Sequence, residues 1–229
     1  MKFFKNFLLL LPIVLGSASQ RPSEMSGNRI VHDNKANGSQ AVLIYIGSMS
    51  GKFHYDLAID VLIDTSIGIR YDLTILKTDS ATIGHVAIFY KFSNPYQSTT
   101  YNFLRHESTL NKYGGPPSSD PKVVIIGAET VNTYTCTHLQ NSEGKKGISD
   151  YWMCPSVPGF SKLVNTLKTI SPGLPALAFS GTIFNWGGLV RMTKNFVSQN
   201  GQAENMELHL QEANTDIVLP SKTFEVPSK

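Results

Sequence analysis

Trp186, one of two tryptophans in the chain, stands at the start of a segment whose apolar residues recur at helical spacing. Asn185 before it is a good N-cap, because its side-chain oxygen can accept hydrogen bonds from the free N–H groups of a first turn. Gly187 and Gly188 carry no side chain, so a ligand or another backbone can approach closely. Residues 182–201 are therefore predicted to form a helix. Trp186 either packs in the core or forms the floor of a binding pocket.

The sequence around Trp186 resembles a motif of the ribosome-inactivating proteins, the family of the ricin and Shiga toxin A-chains. Residues 184–189, F-N-W-G-G-L, are similar to the Asn-Trp-Gly-x-Leu segment of that family. Further segments resemble the paired strands of the family and the short strand after its tryptophan helix, in the same order along the chain: 41–46, 57–61 with the sequence L-A-I-D-V, 67–71 and 206–210.

This resemblance implies removal of one adenine from a stem-loop of large-subunit ribosomal RNA. In such a reaction a carboxylate stabilises an oxocarbenium-like ribose, a cation stabilises the departing base, and aromatic rings hold the base out of its stack. Glu143 and Lys146, in a Glu-x-x-Lys pattern, are the candidates for the two charged catalytic roles. Tyr101 and Trp186 are the candidates for substrate binding, together with Tyr71.

Two departures from the family pattern bear on activity. No aromatic residue lies between Val61 and Gly68, where the first tyrosine is expected, and Lys146 replaces an arginine without its planar fork. The implied function is therefore a secreted ribosome-inactivating-like toxin or effector, an rRNA N-glycosylase with weakened or lost activity. A non-catalytic secreted binding protein on the same scaffold is the alternative. The implied partner is the large ribosomal subunit with its RNA, with no cofactor, no metal and no lectin chain in this sequence.

A second enzyme class stays open because the chain contains an imidazole and a thiol. Residues 84–88, G-H-V-A-I, resemble the histidine strand of papain-like peptidoglycan amidases, with Cys136 as the candidate nucleophile. Imidazole can accept a thiol proton, so His85 and Cys136 would form the reactive pair of a thiol hydrolase. Against this, no predicted helix follows Cys136 to lower its pKa, and Cys154 is an obvious disulfide partner.

The N-terminal residues 1–18 have the pattern of a secretory signal peptide, with two lysines, an apolar run and a small-residue cleavage site. The apolar run is too short to span a membrane as a helix, so a secreted, extracellular protein is expected. The resemblance to the toxin family implies action inside a target cell. In a secreted chain, Cys136 and Cys154 are predicted to form a disulfide. Asn37, in Asn-Gly-Ser, is the predicted glycosylation site.

Strands come first in the predicted order of elements, and helices follow. The expected class is α+β, a mostly antiparallel N-terminal sheet followed by helices, with 57–61 as a central strand because it is apolar on both faces. The predicted strands are 41–46, 54–63, 67–77 and 83–92; the predicted helices are 101–110, 160–170 and 182–201; 122–127 is either, and 135–158 is irregular. The domain assignment is a signal peptide 1–18, a polar arm 19–40 and one domain 41–229, divided into sheet-rich 41–92, helix-rich 101–201 and a C-terminal strand 205–219.

Overall fold

Eleven β-strands make up the regular structure of the chain in its computed structural model. The structure describes residues 40–77, 81–94, 97–112, 123–142, 147–157, 186–197, 201–215 and 217–228. The strands are β1 Gln40–Ser50, β2 His54–Asp64, β3 Gly68–Lys77, β4 Thr82–Lys91, β5 Gln97–Asn102, β6 Glu107–Lys112, β7 Val123–Val131, β8 Tyr134–Ser142, β9 Gly147–Cys154, β10 Gly188–Val197 and β11 Ala203–Asn214.

All eleven strands belong to one antiparallel sheet, in the order β6-β5-β4-β3-β2-β1-β11-β10-β9-β8-β7. The first strand, β1, lies near the centre and pairs with both β2 and the last strand, β11. From β1 the chain proceeds outward by neighbouring pairs to the edge strand β6. It then continues at the opposite edge, β7, and returns inward to β11. The first and the last strand of the described chain are therefore joined by hydrogen bonds in the middle of the sheet.

The predicted α+β class is wrong, because the described residues contain strands where helices were expected and contain no α-helix. Strands β5 and β6 with their connecting turn replace the helix predicted over 101–110, and β10 replaces most of the helix predicted over 182–201. Residues 135–158, expected to be irregular, contain most of β8 and all of β9. The helix predicted over 160–170, the leader and most of the polar arm lie outside the described residues. No helix within the described ranges has the length and apolar character needed to cross a membrane.

Alternation of apolar and polar residues explains why the N-terminal half forms strands. In β2, every second residue from Leu57 to Ile63 is buried, while Asp56 and Asp60 point to the other face. The four strands predicted between residues 41 and 92 are confirmed. The prediction for 57–61 is also confirmed, since β2 lies inside the sheet and pairs with both β1 and β3.

The main core of the described residues lies on one face of the sheet, which we call the concave face. Tyr45, on β1, donates a hydrogen bond to the carbonyl of Leu189 on β10, at 3.2 Å, across the intervening strand β11. Two strand spacings are about 9–10 Å, so the phenol reaches this carbonyl because the sheet curls toward this side. The buried apolar residues of this face include Leu43, Tyr45, Met49, Leu57, Ile59, Val61, Leu73, Val86, Tyr90, Leu139, Tyr151, Met153, Met192, Phe196, Met206, Leu208 and Leu210.

Bulges and close glycine contacts produce the curl. Each bulge bends its strand and increases the local twist. At Gly47 in β1, an added Cβ would overlap the backbone carbonyl of Glu207 in β11, so only glycine allows the two central strands to approach this closely. The register shifts lie at Ile44/Tyr45, Ile75/Leu76, Ile125/Gly127 and Leu189/Arg191.

The C-terminal residues 217–228 pack on the opposite, convex face. Ile217, Leu219 and Phe224 form a small buried cluster with Val42 of β1. The backbone N–H of Leu219 donates to the side-chain oxygen of Gln40 at 2.7 Å. This segment therefore covers the convex side of the central strands.

Candidate functional site on the concave face

The structure does not bring together the two aromatic residues predicted to bind a base. Tyr101 lies on β5 and faces the convex side, where it packs with Ala87 and Phe89. Trp186 stands two residues before β10 and is 38% exposed. Five strands lie between β5 and β10, which corresponds to about 29 Å along the sheet. Trp186 precedes a strand and does not start a helix, so the geometry proposed for an adenine pocket is absent.

Of the other residues predicted for the catalytic site, the structure describes only Tyr71. Tyr71 of β3 is partly buried against the core of the concave face. Burial and the neighbouring Tyr45 and Tyr90 raise the pKa of Tyr71 well above its ordinary value of 10, so its hydroxyl stays neutral. Glu143 and Lys146, the predicted catalytic pair, lie outside the described residues, as does Asn37, the predicted glycosylation site.

The thiol-hydrolase alternative is not supported, because its two reactive residues lie far apart. His85 is on β4 and Cys136 is on β8, with six strands between them. His85 stacks on Phe103 at a ring-centroid distance of 4.1 Å, and burial lowers its pKa. Burial, followed by the neighbouring Cys154, raises the pKa of Cys136 to about 11, which is the opposite of what a thiolate nucleophile requires.

Cys136 and Cys154 are close to each other, as the sequence led us to expect. The pairing of Thr137 with Met153 places Cys136 on β8 across from Cys154 at the end of β9. Both are buried as free thiols: Cys136 Sγ donates to the carbonyl of Tyr134 at 3.6 Å, and Cys154 Sγ lies 3.0 Å from Ser156 Oγ. Formation of a disulfide between them stays a prediction.

A distinctive feature of the concave face is its content of methionine. All four methionines of the described residues, Met49, Met153, Met192 and Met206, are buried there. Met49 lies directly opposite Met206 in the pairing of β1 with β11, so the patch crosses the centre of the sheet. Methionine has a flexible, polarisable side chain that repacks at low cost, and it is common on surfaces that accept varied apolar ligands.

Tyrosines extend this methionine-rich area along the face. Tyr45, Tyr90 and Tyr151 are almost completely buried, and Tyr55 lies near the rim, where burial and then the nearby Glu204 raise its pKa. Burial also raises the pKa of Tyr45 well above 10, so its hydroxyl stays protonated and donates to the carbonyl of Leu189. These phenols offer rigid apolar rings with neutral hydroxyl groups.

A short polar row interrupts the apolar surface at one end. Lys194 of β10 lies on the concave face between Met192 and Phe196, and Lys194 is only 2% exposed. Its neighbour across the β9–β10 pairing is Ser149, which is fully buried, and the next neighbour across is Asn141 of β8. The sheet thus places an amine, a hydroxyl and an amide side chain beside the methionines.

A second cluster of polar side chains lies on the convex face around Trp152. The ring of Trp152 is sandwiched between His138, at a centroid distance of 4.4 Å, and the guanidinium of Arg191, at 4.7 Å. The indole N–H donates to Glu129 at 2.5 Å, and two nitrogens of Arg191 donate to Glu207 at 3.0 and 2.7 Å. These groups satisfy one another, so we assign the cluster to the stability of the sheet. No group of three histidine, cysteine or acidic residues in the described part of the chain could hold a metal ion.

Sequence reasoning missed the concave face because helical spacing was assigned to the segment around β10. On that assumption Arg191 and Lys194 form one basic surface cluster. In the strand they lie on opposite faces, Arg191 convex and Lys194 concave. The detectable signal was the alternation of Val190, Met192 and Phe196, whose period of two is typical of a strand.

Comparisons with known proteins name no family for the chain. No protein-family model matches it, and no curated protein matches it. Solved structures similar to the chain include an uncharacterized conserved protein from Thermus thermophilus, with 8% sequence identity and a TM-score of 0.44 over 86% of this chain and 90% of that one. A structure described as a putative outer membrane lipoprotein-sorting protein domain from Vibrio parahaemolyticus has 7% identity and a TM-score of 0.37, over 84% and 92% of the two chains. A LolA superfamily protein from Nitrosomonas europaea has 9% identity and a TM-score of 0.30, over 84% and 93%.

The fold overturns the resemblance to ribosome-inactivating proteins. The segment that carried the tryptophan motif continues as strand β10 where a helix was expected, and the described residues form one antiparallel sheet in place of a sheet followed by helices. The N-glycosylase function and toxin role, with ribosomal RNA and the large ribosomal subunit as partners, are therefore wrong. Secretion of the protein stays a prediction from the sequence of residues 1–18.

Proposed function

We propose that the protein binds the apolar chain of an amphiphile on the concave face and acts as a non-catalytic binding or carrier protein. The observation that carries the proposal is the concentration of all four described methionines and five tyrosines on this one curved face. A predicted secretory leader, residues 1–18, makes an extracellular carrier the proposed setting.

Curvature and composition support an elongated apolar ligand. The core residues of the concave face extend from β4 across the central strands to β8, so a chain lying across the strands meets apolar side chains along its length. Each buried methylene of such a chain contributes about 0.8 kcal/mol of favourable transfer free energy. The face is buried, so a ligand must replace contacts that the protein already makes. Methionine allows this exchange because it adopts several rotamers at low cost.

The first test measures binding of a fluorescent fatty-acyl probe and its displacement by dodecan-1-ol. We expect saturable binding to the wild-type protein. Met192→Ala shortens a side chain at the centre of the concave face and should weaken binding by roughly tenfold, which corresponds to about 1.4 kcal/mol. Val197→Ala changes an exposed residue of the same strand on the convex side and should leave binding unchanged.

Folding of each variant is verified first by circular dichroism and thermal unfolding, because a truncated core methionine also destabilises the fold. If Met192→Ala does not fold, binding and displacement with the wild-type protein decide the question alone. Absence of saturable probe binding to folded wild-type protein would contradict the proposed function.

A further inference from the structure

We propose that Lys194 and Ser149 hold the anionic headgroup of the amphiphile, so that the ligand is a carboxylate or phosphate on an acyl chain. This inference rests on the proposed function and specifies the ligand class of the same site. It makes the polar row at one end of the concave face the headgroup site, and the methionine-rich area the site of the chain.

The position and residue type of Lys194 are the first support. Strand alternation places Lys194 on the buried face between Met192 and Phe196, where an apolar residue is the usual occupant. A lysine ammonium costs several kcal/mol to remove from water, and anionic groups close by offset that cost. Lys194 also interacts with other groups of the chain, so the inference rests on its residue type and its place on the buried face.

Ser149 supplies the second, independent observation. Its hydroxyl oxygen is the only buried side-chain nitrogen or oxygen among the described residues that lacks a hydrogen-bond partner. A buried polar group without a partner destabilises the folded protein, so an unpaired hydroxyl in a native protein calls for a reason. Ser149 lies directly across from Lys194 on the concave face, where side chains of opposed residues are about 5 Å apart. A carboxylate or phosphate oxygen that accepts from both groups would satisfy the hydroxyl.

The order of side chains along this row fits an amphiphile. Across the sheet, the register runs from Asn141 to Ser149 and Lys194, and then to Met206 and Met49. Polar residues that can bind an anion are therefore followed directly, across the sheet, by apolar residues that can bind an acyl chain. A ligand with its headgroup at Lys194 would place its first methylenes on Met206.

Calorimetric titration with four ligands tests the inference: dodecanoate, dodecyl phosphate, dodecan-1-ol and inorganic phosphate. We expect the two anionic amphiphiles to bind at least about tenfold more tightly than the alcohol, since a hydrogen bond to a charged group is stronger than one to a neutral group. Lys194→Gln should remove this preference and leave the affinity for dodecan-1-ol within about twofold. Lys91→Gln, at an exposed lysine on the convex side of β4, is the matched control and should retain the preference.

Ser149→Ala keeps the inference testable if Lys194→Gln does not fold. Removal of an unpaired hydroxyl should leave thermal stability equal or higher, while the affinity for dodecanoate falls several-fold. Equal binding of dodecanoate and dodecan-1-ol, unaffected by Lys194→Gln, would overturn the headgroup assignment and leave the proposed function standing. Failure of all three amphiphiles to bind would overturn both. Binding of inorganic phosphate as tightly as dodecyl phosphate would also overturn the inference, since the acyl chain would then contribute nothing.

Discussion

Asp64 shows at the scale of one residue how a buried carboxylate is stabilised at the end of β2. One carboxylate oxygen accepts from the backbone N–H and the hydroxyl of Ser66, at 2.8 and 2.5 Å, and the other accepts from the side chain of Gln40 at 2.6 Å. Burial raises the pKa of Asp64, and hydrogen bonds from Ser66, Gln40 and the Ile67 backbone lower it by more, so the folded-state pKa is below the ordinary value.

A lowered pKa makes the contribution of Asp64 to stability dependent on pH. Because the folded protein binds the Asp64 proton less tightly than the unfolded chain, the contribution is complete above about pH 5 and is lost as pH falls through 3.8 and below. Asp64→Asn should lower the free energy of unfolding by about 2 kcal/mol at pH 6. Urea unfolding of both proteins at pH 6 and at pH 2.5 measures the difference. A difference that is as large at pH 2.5 as at pH 6 would show that the charge of Asp64 is not what stabilises this turn.

Residue identities alone were enough to single out the two cysteines. They were not enough to place Lys194 on the concave face. A lysine in sequence is most often a surface residue, and its neighbour Arg191 indeed reaches Glu207 on the convex face. Only the strand period, in which residues an odd number of positions apart lie on opposite faces, places Lys194 on the buried side. The site could therefore not be predicted while the secondary structure of this segment was wrong.

At the scale of the element, the close contact of Gly47 on β1 with β11 predicts how a substitution there changes stability. An added methyl group would overlap the backbone of Glu207 in β11, and backbone atoms cannot move away without disturbing the ladder. Gly47→Ala should therefore lower the free energy of unfolding by about 1–3 kcal/mol or more. Gly127→Ala is the matched control, because Gly127 lies in the edge strand β7 with no atom within 4 Å of an added Cβ. Chemical denaturation of the two variants gives both values, and equal stabilities would refute the close-contact explanation.

Strand β10 illustrates why the secondary structure was predicted only in part. Its apolar residues satisfy both a helical and a strand pattern, since Leu189 and Val190 are both buried next to a bulge and Lys194 interrupts the alternation. Strands β2 and β3 contain no such interruption, and their alternation was recognised from sequence. The local pattern therefore predicts the secondary structure of β2 and β3, where it is unambiguous. In β10 the pattern is mixed, and pairing with β9 and β11 determines that the segment is a strand.

The whole molecule depends on long-range pairing that no local pattern specifies. The pairing of β1 with β11 joins residues far apart in sequence, as in Tyr45 with Leu210, and this contact brings the two halves of the sheet together. The hydrogen bond from Tyr45 to Leu189 then holds the curl that makes one face concave. A resemblance built on short motifs in the right order could not detect this arrangement, because a short motif does not specify which distant strand it pairs with.

Methionine methyl groups offer the most direct test of the central claim, that the concave face binds an acyl chain. In a protein labelled with ¹³C at its methionine methyl groups, the signals of Met49, Met153, Met192 and Met206 can be assigned by single replacements with leucine, which nearly conserve volume. On titration with dodecanoate, the account predicts that Met206 and its neighbours across the concave face shift along one saturation curve. Four methionine signals that stay unchanged, in folded protein at saturating dodecanoate, would contradict it.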